Sequence, residues 1–161
     1  MTVHSNLTSI TSLAVDSRGS LWAGTSGGLV QWTSGSSPRV WTRADGLPGL
    51  RVRSIVYSKS GIQVLADGSA ILRNGRFAPV QIPALTPQWV ARETEGLPGP
   101  PISRAQLGSQ WVWAVPKAGL FTKVKGKWTP VLPAPPTLDL TAAAAHGTEL
   151  FVGTADRGVW R

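Results

Sequence analysis

Val15-Asp16-Ser17-Arg18-Gly19-Ser20-Leu21-Trp22-Ala23-Gly24-Thr25, followed by Ser26-Gly27-Gly28 and Leu29-Val30, decides the architecture. Asp16 to Gly19 is turn chemistry, Leu21 to Thr25 has the composition of a strand, and Gly27-Gly28 turns the chain back into another. The same strand-turn-strand phrase returns at Ile62 to Ile71, Trp111 to Phe121 and Leu150 to Trp160. Its four starts, residues 21, 62, 111 and 150, lie 41, 49 and 39 residues apart. A period of roughly 40–50 residues with several short strands per unit marks the blades of a β-propeller. The expected fold is all-β: a single domain over 1–161, either a four-bladed ring or half of a larger ring assembled by a dimer.

The units fall at about 9–45, 50–95, 100–133 and 138–161, the last completed by 2–7. Inner strands are expected to begin near Ile10, Val52, Ile102 and Leu140. Asn74-Gly75 is a strong hairpin signal. Gly46-Leu47-Pro48-Gly49 and Gly96-Leu97-Pro98-Gly99 repeat one tetrapeptide at the corners between units. Its Pro cannot donate to a ladder and its glycines permit tight turns. An insertion, Pro83 to Glu95, carries Trp89. A helix over Leu138 to Leu150 competes locally, because Ala favours helix. The segment nevertheless stands where the other units have inner strands, and small side chains suit a crowded axis. The fourth unit stops one strand short at Val159-Trp160-Arg161, while Thr2 to Leu7 precedes the first inner strand. An unpaired edge invites aggregation, so the N-terminal strand is expected to close the last blade. That closure would be made within a monomer, or by exchange in a symmetric homodimer.

The phrase from Val15 to Thr25 with Gly27-Gly28-Leu29 resembles the two-component-regulator propeller repeat, typified by D-x-x-G-x-L-W-x-G-T and a D-G-L-P linker. The linker stands here at Asp45 to Pro48, and the fourth unit keeps Leu150-Phe151-Val152-Gly153-Thr154. The second and third units depart, with Gln63 and Val112 at the Trp22 position and Leu65 and Ala114 at the Gly24 position. The resemblance implies an extracytoplasmic sensory propeller of the kind attached to bacterial histidine kinases, and hence a module that binds something.

Composition bounds the chemistry. The chain has 161 residues, 42% of them hydrophobic, enough for a real core. With Cys 0 there are no disulfides and no thiolate metal ligands, and His4 and His146 are too few for a histidine cluster without carboxylate help. No metal or cofactor is expected. No apolar run approaches the ~18 residues of a membrane span, and no basic region followed by an apolar stretch opens the chain as a signal peptide would. Asn6-Leu7-Thr8 is a glycosylation sequon. The net charge of +8 favours acidic partners, which makes weak polyanion binding an expectation. The basic residues are scattered, and the one dense group is Lys117, Lys123, Lys125 and Lys127.

Catalytic patterns are missing. There is no GxSxG elbow and no phosphate loop, and most of the 8 acidic residues fall in turns. His146, at a hairpin, is the remaining candidate base for a lyase or hydrolase. The 8 tryptophans are the better hint. Trp22, Trp111, Trp113 and Trp160 lie in repeat strands and are expected to pack between blades; Trp32, Trp41 and Trp128 fall nearer the rim. Flat aromatic faces beside polar groups suit sugar rings and stacked bases. The expectation is a non-enzymatic sensory or scaffold module that binds a small molecule, glycan or protein. A carbohydrate-binding lectin is the main alternative. The candidate ligand-binding residues are Trp89 of the insertion together with Asp45, Arg51, Asp67, Glu95, Lys117, Asp156 and Arg157 on the loops and links of one face.

Overall fold

The computed structural model describes residues 9–81, 91–133 and 139–161. The described residues form four antiparallel sheets, each a meander of sequential strands. Blade one is β1 (Ile10–Val15), β2 (Leu21–Thr25), β3 (Gly28–Trp32) and β4 (Arg39–Trp41). Blade two is β5 (Ser54–Ser58), β6 (Gly61–Leu65), β7 (Ser69–Arg73) and β8 (Arg76–Pro79). Blade three is β9 (Ser103–Leu107), β10 (Gln110–Val115), β11 (Gly119–Val124) and β12 (Lys127–Pro133). Blade four has β13 (Leu140–His146), β14 (Glu149–Thr154) and β15 (Val159–Trp160), three strands where the others have four. The alanine run is therefore strand, as its register required. The expected closing strand, Thr2 to Leu7, lies outside the described residues, as do Trp89, His4 and the sequon.

The turns follow from local chemistry. Asp16 Oδ1 accepts the backbone N–H groups of Arg18 (2.9 Å) and Ser20 (3.0 Å), and its Oδ2 accepts the indole N–H of Trp22 at 2.9 Å. One carboxylate thus shapes the first hairpin and orients the ring that follows. The outer strand of blade one stops at Trp41, because residues 43–45 form a 3-10 turn whose N-cap is Thr42. Gly46 ends that turn at φ 90, where its missing side chain leaves room for the Phe77 carbonyl.

Three apolar clusters sit between blades rather than inside one of them. Between blades one and two, Trp22, Leu29, Trp41 and Val52 pack with Ile55, Ile62, Val64 and Phe77. Between four and one, Ile10, Leu13, Leu21 and Ala23 meet Ala142 and Ala144. Between three and four, Ala105, Val112, Ala114 and Leu120 meet Leu140, Ala143 and Val152. The first and last blades thus pack against each other. Among the described residues no such cluster joins blades two and three. All four inner strands nevertheless line one axial channel of about 540 Å³.

Candidate functional site

Blade three turns one face toward blade two, with which it shares no apolar cluster among the described residues. In β10 side chains alternate. Val112 and Ala114 point to blade four, so Trp111 and Trp113 point the other way. Beside them lie Arg104 of β9, Thr122 and Lys123 of β11, Trp128 of β12 and Glu93 of the 3-10 turn Ala91–Glu93. Together with Ser109 and Gln110 they enclose a hollow of about 420 Å³.

Its geometry is that of an aromatic and cationic stack. The Arg104 guanidinium lies 4.3 Å from the Trp111 ring centre and 5.4 Å from that of Trp113. Glu93 pairs with Arg104 at 3.3 Å, which fixes the guanidinium over the rings. Trp113 meets Trp128 edge-to-face, with centroids 6.1 Å apart and planes at 86°. Lys123 Nζ stands 5.1 Å from the Trp128 ring, and the Trp128 indole N–H donates to the Glu95 carbonyl at 2.8 Å. Trp113 is buried, yet Trp111 is 43% exposed. Arg104 and Trp111 also line the axial channel, so hollow and channel meet at these two side chains. The channel adds Ser12, Ser54, Ser103, Gln106 and Tyr57 to the polar lining.

The tryptophans divide differently from expectation. Trp22 and Trp113 are buried between strands as repeat residues should be, but Trp111 and Trp160 are exposed, Trp160 by 51%. Trp41, placed at the rim by its strand number, is buried between Trp22 and Phe77 at centroid distances of 5.8 and 5.5 Å. Strand order alone could not separate these cases, because burial depends on whether a neighbouring blade covers the face.

Of the loop-face residues, Glu95 touches the hollow through its carbonyl, whereas Asp45, Arg51, Asp67, Lys117, Asp156 and Arg157 do not line it. Asp45 accepts the Thr42 backbone N–H at 2.9 Å and pairs with Arg39 at 3.4 Å. The backbone hydrogen bond from Thr42 is the largest of the effects that hold its carboxyl below the usual aspartate range; partial burial opposes it and Arg39 adds to it. Asp67 pairs with Arg43 at 3.3 Å, over Gly49, whose missing side chain makes room for it. Lys117 takes a left-handed turn at φ 58, and the Arg157 N–H next to Asp156 donates to the Thr154 hydroxyl at 2.9 Å. Arg51, Asp67, Glu95, Lys117, Asp156 and Arg157 are exposed. His146 is exposed and faces the Gly19 turn of blade one. Among the described residues no three His, Asp or Glu side chains gather as a metal site would need, and no helix is long and apolar enough to cross a membrane.

Comparison with known proteins agrees with the repeat. No curated protein matches the chain. The extracellular domain of a hybrid two component system from B. thetaiotaomicron is similar at 20% identity and a TM-score of 0.42, over 91% of this chain and 20% of that one. Virginiamycin B lyase from Staphylococcus aureus is similar at 10% identity and a TM-score of 0.38, over 91% of this chain and 49% of the lyase. The computationally designed Ika4 protein is similar at 14% identity and a TM-score of 0.34, over 99% and 93% of the two chains. The chain thus spans a fifth of the two component domain and about half of the lyase. The family model described as "Two component regulator propeller" matches residues 5–27, so the stretch around Asp16 and Trp22 carries that family's repeat, as its sequence implied.

Proposed function

We propose that this propeller is a non-enzymatic ligand-binding module of sensory or scaffold type, and that its ligand sits in the hollow on blade three. The observation that supports this most is the exposed face of Trp111, backed by an arginine that Glu93 holds in place. An exposed indole on a rigid strand costs solvation and offers a flat apolar face for a ligand ring. Ser109, Gln110 and Lys123 surround it with hydrogen-bonding and cationic groups. The net charge of +8 adds long-range attraction for acidic ligands. The repeat over residues 5–27 supports an extracytoplasmic sensory setting.

The same stack supports a lectin, in which a sugar ring lies on Trp111 and its hydroxyls meet the polar rim. A contact surface on the loop face, using the exposed Arg51, Lys117 and Arg157, is the second reading.

Titrating intrinsic fluorescence with dextran, dextran sulfate and a single-stranded DNA oligonucleotide, with Trp111→Ala alongside, tests these readings. Dextran sulfate is expected to bind, with affinity falling steeply as salt rises. Trp111→Ala should abolish the response. Salt-independent binding of dextran would favour the lectin, and preference for DNA would favour base stacking. Binding that survives Trp111→Ala would move the site to the loop face.

A further inference from the structure

The four blades repeat one register, so equivalent positions can be compared across them. Between the inner strand and its neighbour, Leu13 pairs with Ala23, Ile55 with Val64, Ala143 with Val152 and Arg104 with Trp113. Leu13 and Ala23 belong to the apolar cluster shared with blade four, Ile55 and Val64 to the one shared with blade one, and Ala143 and Val152 to the one shared with blade three. The position is thus a core position that faces the preceding blade. Blade three puts a charge there.

A guanidinium in a core position costs solvation that an aliphatic side chain does not. The Arg104 side chain is 19% exposed, against 47% for that of Glu93. The Trp111 ring and the Glu93 carboxylate offset part of that cost. The Glu93 contact is nevertheless a loose one. Arg104 Nη1 and Glu93 Oε2 stand 3.3 Å apart, longer than the about 2.7–2.9 Å of a strong charge-assisted bond. An ion pair with so exposed a partner is screened by water and holds weakly. Glu93 also reaches Arg104 from a three-residue 3-10 turn rather than from a sheet. Lys123, the other cation of the hollow, pairs with no carboxylate among the described residues. Two cations therefore face one acid on this lining.

We infer that Arg104 is the anion-recognising residue of the hollow, and that the Glu93 carboxylate stands in for the oxyanion of its ligand. The ligand class is a ring that carries a carboxylate or a sulfate. The ring packs on the exposed surface of Trp111, its oxyanion replaces Glu93 on the planar fork of Arg104, and Lys123 adds a second positive charge. The inference rests on the reading of the hollow as the binding site and adds its regulation. Glu93 competes with the ligand and so lowers its affinity. A neutral ring offers Arg104 nothing in exchange for Glu93, so the same acid selects against it.

Dextran sulfate titrations of the full chain, followed by tryptophan fluorescence, test this with three variants. Glu93→Gln keeps the shape and removes the competing charge; it is expected to tighten binding several-fold with the melting temperature unchanged. Glu149→Gln removes the same charge from a similarly exposed acid of blade four, paired with Arg161, and should leave the affinity within twofold. Arg104→Met restores the hydrocarbon that the other blades carry. It should weaken binding at least tenfold, with the melting temperature unchanged or higher. Equal tightening by Glu93→Gln and Glu149→Gln reduces the effect to net charge and overturns the inference. So does unchanged or weaker binding in Glu93→Gln, a melting temperature several degrees lower in that variant, or parental binding by a folded Arg104→Met protein. Those failures leave the hollow as the site if Trp111→Ala still abolishes binding. If dextran sulfate binds neither the parental chain nor Glu93→Gln, the binding-site reading fails and the inference with it.

Discussion

The seam between blades one and two and the seam between blades two and three are built from the same repeat and end up as opposites. The first buries Trp22 and Trp41 against Val52 and Phe77, with Gly24 letting the strands approach. The second shares no apolar cluster among the described residues, carries Leu65 where the first has Gly24, and leaves Trp111 43% exposed. Units of one repeat can therefore differ in what a strand face offers without any new secondary structure.

The comparison can be broken most forcefully at the packed seam. Trp22 is 2% exposed, stacks on Trp41 and donates to Asp16. Trp22→Ala should cost about 3–5 kcal/mol, read as a fall in urea midpoint. Trp111→Ala should cost under about 1 kcal/mol while abolishing binding, because half-exposed apolar groups hold little burial energy. Equal losses from the two would mean that the seams do not differ.

Gly24→Ala should destabilise by about 1–3 kcal/mol, since its Cβ would press on the buried Val52. Thermal melts of Gly24→Ala beside Leu65→Ala sharpen the contrast: the second removes a half-buried side chain and adds no clash, so it should cost less. A smaller difference is expected between the two serines. Ser12→Ala leaves the Ile55 N–H without its acceptor and should cost about 1–3 kcal/mol. Ser54→Ala should stay within about 0.5 kcal/mol.

The smallest effect is electrostatic. The Thr42 N–H holds the Asp45 carboxyl below its ordinary range. A depressed carboxyl adds stability that is fully present above the unfolded-state value and is lost as pH falls through the folded value. Unfolding midpoints should therefore fall slightly on acidification below the ordinary aspartate range. Asp45→Asn should flatten that part of the profile; an unchanged slope would remove Asp45 from the account.

Much of this fold could be read from residues. Leu21 to Thr25 and its returns located all four blades, and Asp16 and Gly19 located the first hairpin. Strand phrases are local, and turn residues act through their own backbone, so both survive translation into sequence. The hollow was less legible. The departure of Leu65 from glycine was visible in the chain, but what a strand face offers depends on which blade covers it, a fact of tertiary packing. Arg104 carries no signal of its own in the chain, because its role comes from stacking on Trp111, two strand positions and one hairpin away. The loop-face residues rest on analogy with propeller mouths, and two of them shape turns or ion pairs: Asp45 at Thr42 and Asp67 with Arg43.

The most direct test exploits a chain with Cys 0. Spin labels on Ser17→Cys with Ser60→Cys span the hairpins of blades one and two; labels on Ser60→Cys with Ser109→Cys span those of blades two and three. All three sites are exposed. Double electron–electron resonance should give a short, narrow distance distribution for the first pair and a longer, broader one for the second. Matching distributions for the two pairs would contradict the difference between the seams.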